Sequence, residues 1–454
     1  MDIQQLISSQ KAFFNTNKTK DISFRIQQLQ KLEHVLRSNE KALNEAIFED
    51  FKKSPFQNYM SELSLLFHDI HDACKNLKHW SKPQKANTNS VNFPAKSYIQ
   101  AEPLGCVLVI GAWNYPYQLS FAPAIAAIAA GNTVIIKPSE LPIHTSNIMA
   151  KLIRENFDPS FFSVVEGGIE ETTILINQKF DKIFFTGSTH VGRIVYQAAA
   201  KNLVPVTLEL GGKSPVFFTE TGNIKNGVKR LVWAKFLNAG QTCVAPDYIL
   251  VHKSIKKEFL KALVEEIKQS CFSFENGNYV QIINEKNMMH LIDLLDKNKI
   301  HVGGTYDIEK RYMEPTIMSE VTFSDRVMEK EIFGPILPVI EYNNLDEVIA
   351  QVKAQPKPLS CYVFSDDQTQ IKKILNEISF GGGAVNDALM HLTNSYLPFG
   401  GVGDSGMGSY HGEYGFKTFS HYKGILHKPT WFEAKLKYYP FSKIKLDLLK
   451  RIIE

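Results

Sequence analysis

Two side chains stand out as able to do chemistry together. Cys243 closes the run Asn238-Ala239-Gly240-Gln241-Thr242-Cys243, where small residues follow a helical stretch and suit a backbone that bends to present a side chain. A thiolate is the strongest side-chain nucleophile near neutral pH. The competing reading is the inert, buried thiol common in intracellular proteins. Glu209, in Leu208-Glu209-Leu210-Gly211-Gly212-Lys213, ends an apolar run. Burying a carboxylate costs several kcal/mol unless something uses it, so Glu209 is a candidate general base with a raised pKa, or else a salt-bridged structural acid. Asn114, in Gly111-Ala112-Trp113-Asn114-Tyr115-Pro116, offers an amide donor to a developing oxyanion, or a turn before Pro116.

A second group of motifs suits a nucleotide. Phe185-Thr186-Gly187-Ser188-Thr189-His190-Val191-Gly192 lies between a strand and a helix, where backbone N–H groups and the helix dipole favour phosphate. It is not G-x-G-x-x-G, because Ser188 and Thr189 occupy the wrong positions. Nor is it a Walker A loop, because Arg193 and Ile194 replace the Lys and Ser/Thr. The same turn also serves as plain punctuation. Lys137-Pro138-Ser139-Glu140 follows the second strand and could hold a ribose, or else its Pro merely ends that strand, and Glu331-Ile332-Phe333-Gly334-Pro335 sets an acid and an aromatic beside a Gly-Pro turn. Two other patterns are set aside. Gly403-Asp404-Ser405-Gly406 echoes a protease nucleophile without the disulfide-bonded context such enzymes need. His68, His71 and Cys74 have helical spacing but lack a further fixed ligand, so no metal is expected.

These residues need a frame. Short apolar runs at 106–110, 133–136, 162–165, 182–185 and 206–209 alternate with helical stretches at 119–130, after Pro142, and from about Glu170 and His190. That alternation spells a parallel, doubly wound sheet, which binds ligands at the carboxyl ends of its strands. A second alternating region follows Gly211, with helices near 224–237 and 254–269 and a strand and helix series over 334–378. Helical periodicity over 22–51 marks a scaffold, and partial alternation over 91–100 marks an exposed antiparallel strand.

Composition narrows the class. The chain has 454 residues, 51 Lys and Arg against 47 Asp and Glu, and 44% apolar residues. It is an ordinary globular composition with room for two or three domains, and its dispersed basic residues do not form a nucleic-acid patch. Five cysteines without C-x-x-C spacing argue against a disulfide framework or thiolate zinc site. The polar start and the absence of a long apolar run lead to a cytoplasmic expectation. The basic tail ending in Lys450, Arg451 and Glu454 is expected to pack on the body as an amphipathic helix, with membrane contact not expected.

Taken in chain order, the Trp113–Pro116, Lys137–Glu140, Phe185–Thr189, Leu208–Lys213, Gly240–Cys243 and Glu331–Pro335 motifs resemble the aldehyde dehydrogenase superfamily over roughly Lys11 to Lys428. Cys243-Val244-Ala245-Pro246-Asp247-Tyr248 and Pro398-Phe399-Gly400-Gly401-Val402-Gly403, continued to Gly412, look like the class 3 branch of fatty and aromatic aldehyde dehydrogenases. Asp404 departs from the His expected there. The resemblance implies an α/β fold with two doubly wound, parallel-sheet domains, Rossmann-like and catalytic, and a small antiparallel bridging element. The NAD(P)-binding domain would span 1–81 and 101–209, the catalytic domain 210–418, the bridge 82–100 and 419–430, and the tail 431–454.

It makes Cys243 the nucleophile and Glu209 the base, with Asn114 and the Cys243 N–H as the oxyanion hole. Gly187, Ser188 and Gly192 would lie by a pyrophosphate, Lys137 and Glu140 by the adenosine ribose, and Glu331 with Phe333 by the nicotinamide riboside. The expected activity is oxidation of an apolar aldehyde, aliphatic or aromatic, to its acid by a homodimer using NAD, with NADP also admissible. Glu140 favours NAD because a carboxylate bonds a free 2′-hydroxyl and repels a 2′-phosphate. Tyr115, Leu119, Trp233 and His391 are expected at the substrate entrance. A cysteine-dependent esterase or acyl transferase, and a non-catalytic binding protein on the same scaffold, are the alternatives.

Overall fold

The wholly apolar runs become the central strands of two sheets, as expected for segments buried on both faces. The computed structural model describes residues 2–453. In chain order, β1 (Gln84–Ala86) and β2 (Lys96–Pro103) precede the first wound unit, β3 (Cys106–Ile110), β4 (Thr133–Lys137), β5 (Phe162–Val164), β6 (Lys182–Thr186) and β7 (Val206–Glu209). The second unit comprises β8 (Pro215–Phe218), β9 (Tyr248–His252), β10 (Ile300–Val302), a ribbon of β11 (Tyr306–Asp307) and β12 (Tyr312–Met313), β13 (Thr316–Met318), β14 (Ile336–Tyr342), β15 (Ser360–Phe364) and β16 (Gly382–Val385). Finally come β17 (Gly406–Met407) and β18 (Ser420–His427).

The first sheet has the order β17-β7-β6-β3-β4-β5, parallel except for β17. The strand order reverses beside β3, and the loops after β3, β4, β6 and β7 meet at its carboxyl edge, where ligands bind in such folds. The second sheet runs β10-β13-β14-β9-β8-β15-β16, parallel except at the β10/β13 edge. Helix Pro116–Ala130 is apolar on nearly every side, as a fully enclosed helix must be. It packs against helix Ser64–Trp80, and this scaffold from the amino-terminal region roofs the first sheet.

One segment crosses back between the units. Residues 406–407, counted with the second unit from the sequence, extend the first sheet by pairing Gly406 with Glu209 and Met407 with Leu208. The following helix, Gly412–Thr418, also packs on the first unit. Gly406 has φ 152°, and a Cβ there would collide with the Leu208 carbonyl oxygen, so the strand joins only because no side chain intervenes.

The odd exposed strand finds its partners in a three-stranded antiparallel sheet, β1-β2-β18. The strand begins later than the alternation suggests and runs to Pro103, because 90–92 form a helical turn. The tail departs from expectation. Its helix, Lys443–Ile453, leaves Ile444, Leu446 and Leu448 exposed rather than packed on the body, since among the described residues no other element covers these apolar side chains. Among the described residues no helix is long and apolar enough to cross a membrane.

Candidate active site

Cys243 owes its position to a short left-handed stretch. Asn238 (φ 54°), Ala239 (φ 52°) and Gly240 (φ 73°) turn the chain sharply after helix Ile224–Phe236. A Cβ on Gly240 would collide with the Gly334 carbonyl oxygen, so this glycine is needed for close approach as well as for its φ. Gln241 then locks the loop: its Nε2 donates to the carbonyls of Asn238 and Gln281, both at 3.1 Å, and its Oε1 accepts from Ile283 N at 2.9 Å.

The same loop fixes Asn114. Asn114 Nδ2 donates to the Gln241 carbonyl at 3.0 Å, and the Asn114 carbonyl accepts from Asn238 Nδ2 at 3.0 Å. An amide nitrogen carries two N–H donors, so one remains for a ligand beside Cys243. Sequence reasoning misses Asn238 and Gln241 as functional residues. The signal for them is the Asn-Ala-Gly run, whose Asn and Gly are the residues that best tolerate left-handed backbone.

Glu209 is buried, and neither carboxyl oxygen has a hydrogen-bond partner among the described residues. Burial holds its pKa well above the ordinary carboxylate range. Burial likewise pushes the Cys243 thiol up to about 12, with the negative charges of Glu331 and Glu209 adding to the effect. Glu331 rises to about 8, first through burial and then through Asp247, against the lowering effect of the Gly212 N–H. A Cβ on Gly211 would overlap Glu331 Oε2, so the bare backbone at 211–212 is what lets this acid enter. The Glu331 loop is clamped by two residues whose spacing in the chain gives no hint of a pair: Lys213 binds Asp247 and the carbonyls of Val327 (3.0 Å) and Lys330 (2.9 Å), while Asp247 accepts from Ile332 N at 3.0 Å. Phe333, at φ 53°, sets its ring edge-on to Trp113 with centroids 5.2 Å apart.

A cleft of about 760 Å³ joins these groups. Asn114, Lys137, Glu140, Gly187, Ser188, Glu209, Cys243, Glu331 and Phe333 all line it. Lys137 Nζ is buried, donates to the Pro138 carbonyl at 2.7 Å and lies 3.8 Å from the half-exposed Glu140 carboxylate. Ser188 caps helix Thr189–Lys201, its Oγ accepting from Val191 N at 3.3 Å. Gly192 departs from its expected place: it does not line the cleft but faces Leu210, where a Cβ would come within 2.6 Å. Its small size serves close helix-to-sheet packing instead.

The cleft fits a dinucleotide. The exposed Ile169, Val191 and Ile194 side chains add apolar surface to its wall. A Cβ on Gly168 would meet nothing within 4 Å, leaving open space beside it. Glu140 lies beyond one strand end, a helix amino-terminus beyond another, and Glu331 and Phe333 near the thiol. A cofactor of extended shape would be held by those groups from its adenine to its reactive ring.

Cys243 also lines a second, mostly apolar cavity of about 270 Å³. Tyr115, Leu119 and Trp233, expected at a substrate entrance, are in its wall. His391 is not. It lies behind, packed near Tyr362 and Phe399, with both ring nitrogens buried and unpartnered among the described residues, and burial lowers its pKa to about 4. The Ser405 of the protease-like tetrad is a turn residue, its Oγ donating to the Val402 carbonyl at 3.0 Å. Asp404 forms an exposed ion pair with Arg193 at 2.7 Å.

This geometry, a cysteine between a dinucleotide-shaped cleft and an apolar cavity on two wound sheets, defines a class. Residues 1–425 match the Aldehyde dehydrogenase family, and the chain belongs to that family as an NAD(P)-dependent aldehyde dehydrogenase. It is 50% identical over 446 residues to the 4,4'-diaponeurosporen-aldehyde dehydrogenase of Staphylococcus aureus, covering 97% of each chain. It is 42% identical over 431 residues to the mouse (Mus musculus) aldehyde dehydrogenase, dimeric NADP-preferring, covering 94% of each. A solved structure described as the substrate bound state of Staphylococcus aureus AldH superposes with a TM-score of 0.97 at 49% identity, covering 100% of both chains.

Proposed function

We propose that this chain oxidises an apolar aldehyde, medium- or long-chain aliphatic or aromatic, to the carboxylic acid through a covalent intermediate on Cys243. The observation that carries this is the position of Cys243, which lines both the cleft and the apolar cavity. The relatives' names, a diaponeurosporen-aldehyde dehydrogenase among them, support an aldehyde as substrate.

The Cys243 thiol adds across the carbonyl of an aldehyde seated in the apolar cavity, Sγ bonding the carbon as the thiol proton passes to the oxygen. The oxygen of the resulting thiohemiacetal accepts from the free Asn114 N–H, a donor already fixed by the Gln241 network, and from the Cys243 backbone N–H. When bound, the oxidised nicotinamide supplies the acceptor for the hydride leaving that carbon, and its positive charge favours ionised forms of nearby acids. The hydroxyl proton passes to solvent as the hydride leaves, and Cys243 then carries a thioester. Glu209 takes a proton from water, the water oxygen bonds the acyl carbon, and the C–S bond breaks to release the acid, the proton on Glu209 passing to the departing sulfur to return the thiol. With no hydrogen-bond partner among the described residues, the Glu209 carboxyl is free for this proton transfer.

We also propose NAD as the preferred cofactor, with NADP accepted, on the strength of the Glu140 carboxylate, and a homodimer, for which the outer edges of β1 and β18 offer a surface. Purified protein mixed with NAD and an aldehyde series tests the reaction. NADH formation abolished by Cys243→Ala supports it. Ester cleavage without NADH formation would instead identify an acyl-transferring enzyme, and the absence of any turnover a binding protein. Light scattering in solution checks the dimer.

A further inference from the structure

The Gln241 side chain that locks the nucleophile loop is itself held from outside that loop. Both ends of its amide bond the segment 281–283, at the Gln281 carbonyl (3.1 Å) and at Ile283 N (2.9 Å). That segment is irregular backbone between helix Lys256–Ser270 and helix Glu285–Asp293, so neither a helix nor a strand ladder fixes it. Arg311 does.

Arg311 stands in the turn of the β11–β12 ribbon, half-buried. Its guanidinium donates to the Ile283 carbonyl and, at 2.5 Å, to Gln281 Oε1, and it reaches the Asp50 carbonyl of the amino-terminal scaffold at 3.4 Å. The backbone around it tightens the same junction: Ile282 N donates to the Arg311 carbonyl at 2.9 Å, and Gln281 N to the Phe51 carbonyl at 2.8 Å. A planar guanidinium presents several N–H donors in fixed directions and can join these acceptors at once, which a single ammonium group cannot do. The backbone gives an independent sign. Arg311 has φ 49°, a conformation that Gly or Asn adopts with far less strain. Strain of that kind is retained where the surrounding structure uses the side chain.

We propose that Arg311 is a positioning residue for the oxyanion donor Asn114. This rests on the assignment of Asn114 to the oxyanion hole and adds the group that aims it. The Gln241 carbonyl receives Asn114 Nδ2 at 3.0 Å, and the Gln241 side chain is held by the segment that Arg311 holds. When 281–283 loosens, Gln241 shifts, and the second Asn114 N–H no longer meets the oxygen that gains charge. Arg311 lines neither the cleft nor the apolar cavity, so it acts without touching cofactor or substrate.

Single-turnover NADH formation, with enzyme in excess over hexanal and NAD saturating, reads the hydride step that follows oxyanion formation. Arg311→Ala is expected to lower its rate about ten- to a hundredfold, the scale of a misplaced reacting group, while the Kd for NAD stays within about twofold. Methylguanidinium added to that variant should restore the rate several-fold, and methylamine should not. Arg311→Lys keeps the charge and the stem but not the fork. It should keep the thermal midpoint of wild type and still lose about fivefold or more in rate, so the proposal stays testable if the alanine variant does not fold. In an Asn114→Ala background, adding Arg311→Lys is expected to change the rate less than about twofold, because the two residues act in series. A rate for Arg311→Lys equal to wild type, or the same loss with and without Asn114, would overturn the positioning role. Asn114→Ala reacting as fast as wild type would instead overturn the oxyanion assignment beneath it.

Discussion

Glu209→Gln isolates the second half of the reaction. Glu209, Glu140 and Glu331 line the same cleft, but Glu331 is engaged by the Gly212 N–H and Glu140 lies by Lys137, so neither is placed to replace the base. A positioned general base contributes about 10²–10⁴ in rate, which at 1.36 kcal/mol per decade is about 2.7–5.4 kcal/mol of barrier. The amide keeps the shape of the buried side chain but cannot accept the proton from water. Rapid mixing with saturating NAD and aldehyde should therefore show a burst of about one NADH per subunit, followed by turnover lowered by about 10²–10⁴. A burst that falls in parallel with turnover, with cofactor binding intact, would refute the separation of roles. A residual steady rate above about one-tenth of wild type would refute the base itself.

The same variant carries a stability signature. The raised pKa of Glu209 means that the stability of its protonated, folded form is fully present below the unfolded value near 4.5 and is lost progressively as pH rises toward the folded one. Thermal unfolding of Glu209→Gln should match wild type below the unfolded value and exceed it increasingly as pH rises above that value. A constant difference across that range would show that Glu209 is not held protonated.

Other outcomes follow from neighbouring geometry. Asn114→Ala removes a fixed oxyanion donor and should lower kcat by about 10²–10³ with cofactor affinity unchanged, as stopped-flow hydride transfer would report. Glu140→Gln removes the charge that repels a 2′-phosphate, so the ratio of kcat/KM for NADP over NAD should rise about tenfold; an unchanged ratio would locate selectivity elsewhere. Lys53 and Glu62 form a fully buried pair at 2.8 Å, and Glu62 also accepts from Tyr117 N at 2.8 Å at the start of the central helix. Lys53→Met leaves that carboxylate unpaired and should cost about 3–5 kcal/mol in urea unfolding, with Glu62→Gln in the same chain recovering part of the loss.

Some of this is written locally. Apolar runs long enough for one strand, separated by helical periods, specify a doubly wound sheet because a strand buried on both faces admits few polar residues. Cys243, Glu209 and Asn114 are identifiable because each sits where the chain must turn at the end of such an element, and their types suit carbonyl chemistry. The family motifs add the cofactor residues. What depends on distant contacts is not legible. The Gln241 network, the Lys213–Asp247 clamp, the return of 406–407 to the first sheet and the displacement of Gly192 from the cleft to Leu210 each join residues far apart in the chain. Residue type, local spacing and the family motifs are enough to name the side chains proposed to carry the chemistry. How strongly those side chains hold their protons, and what shape of cavity faces them, depends instead on the folded chain, because burial and cavity shape are properties of surfaces that segments distant in sequence make together.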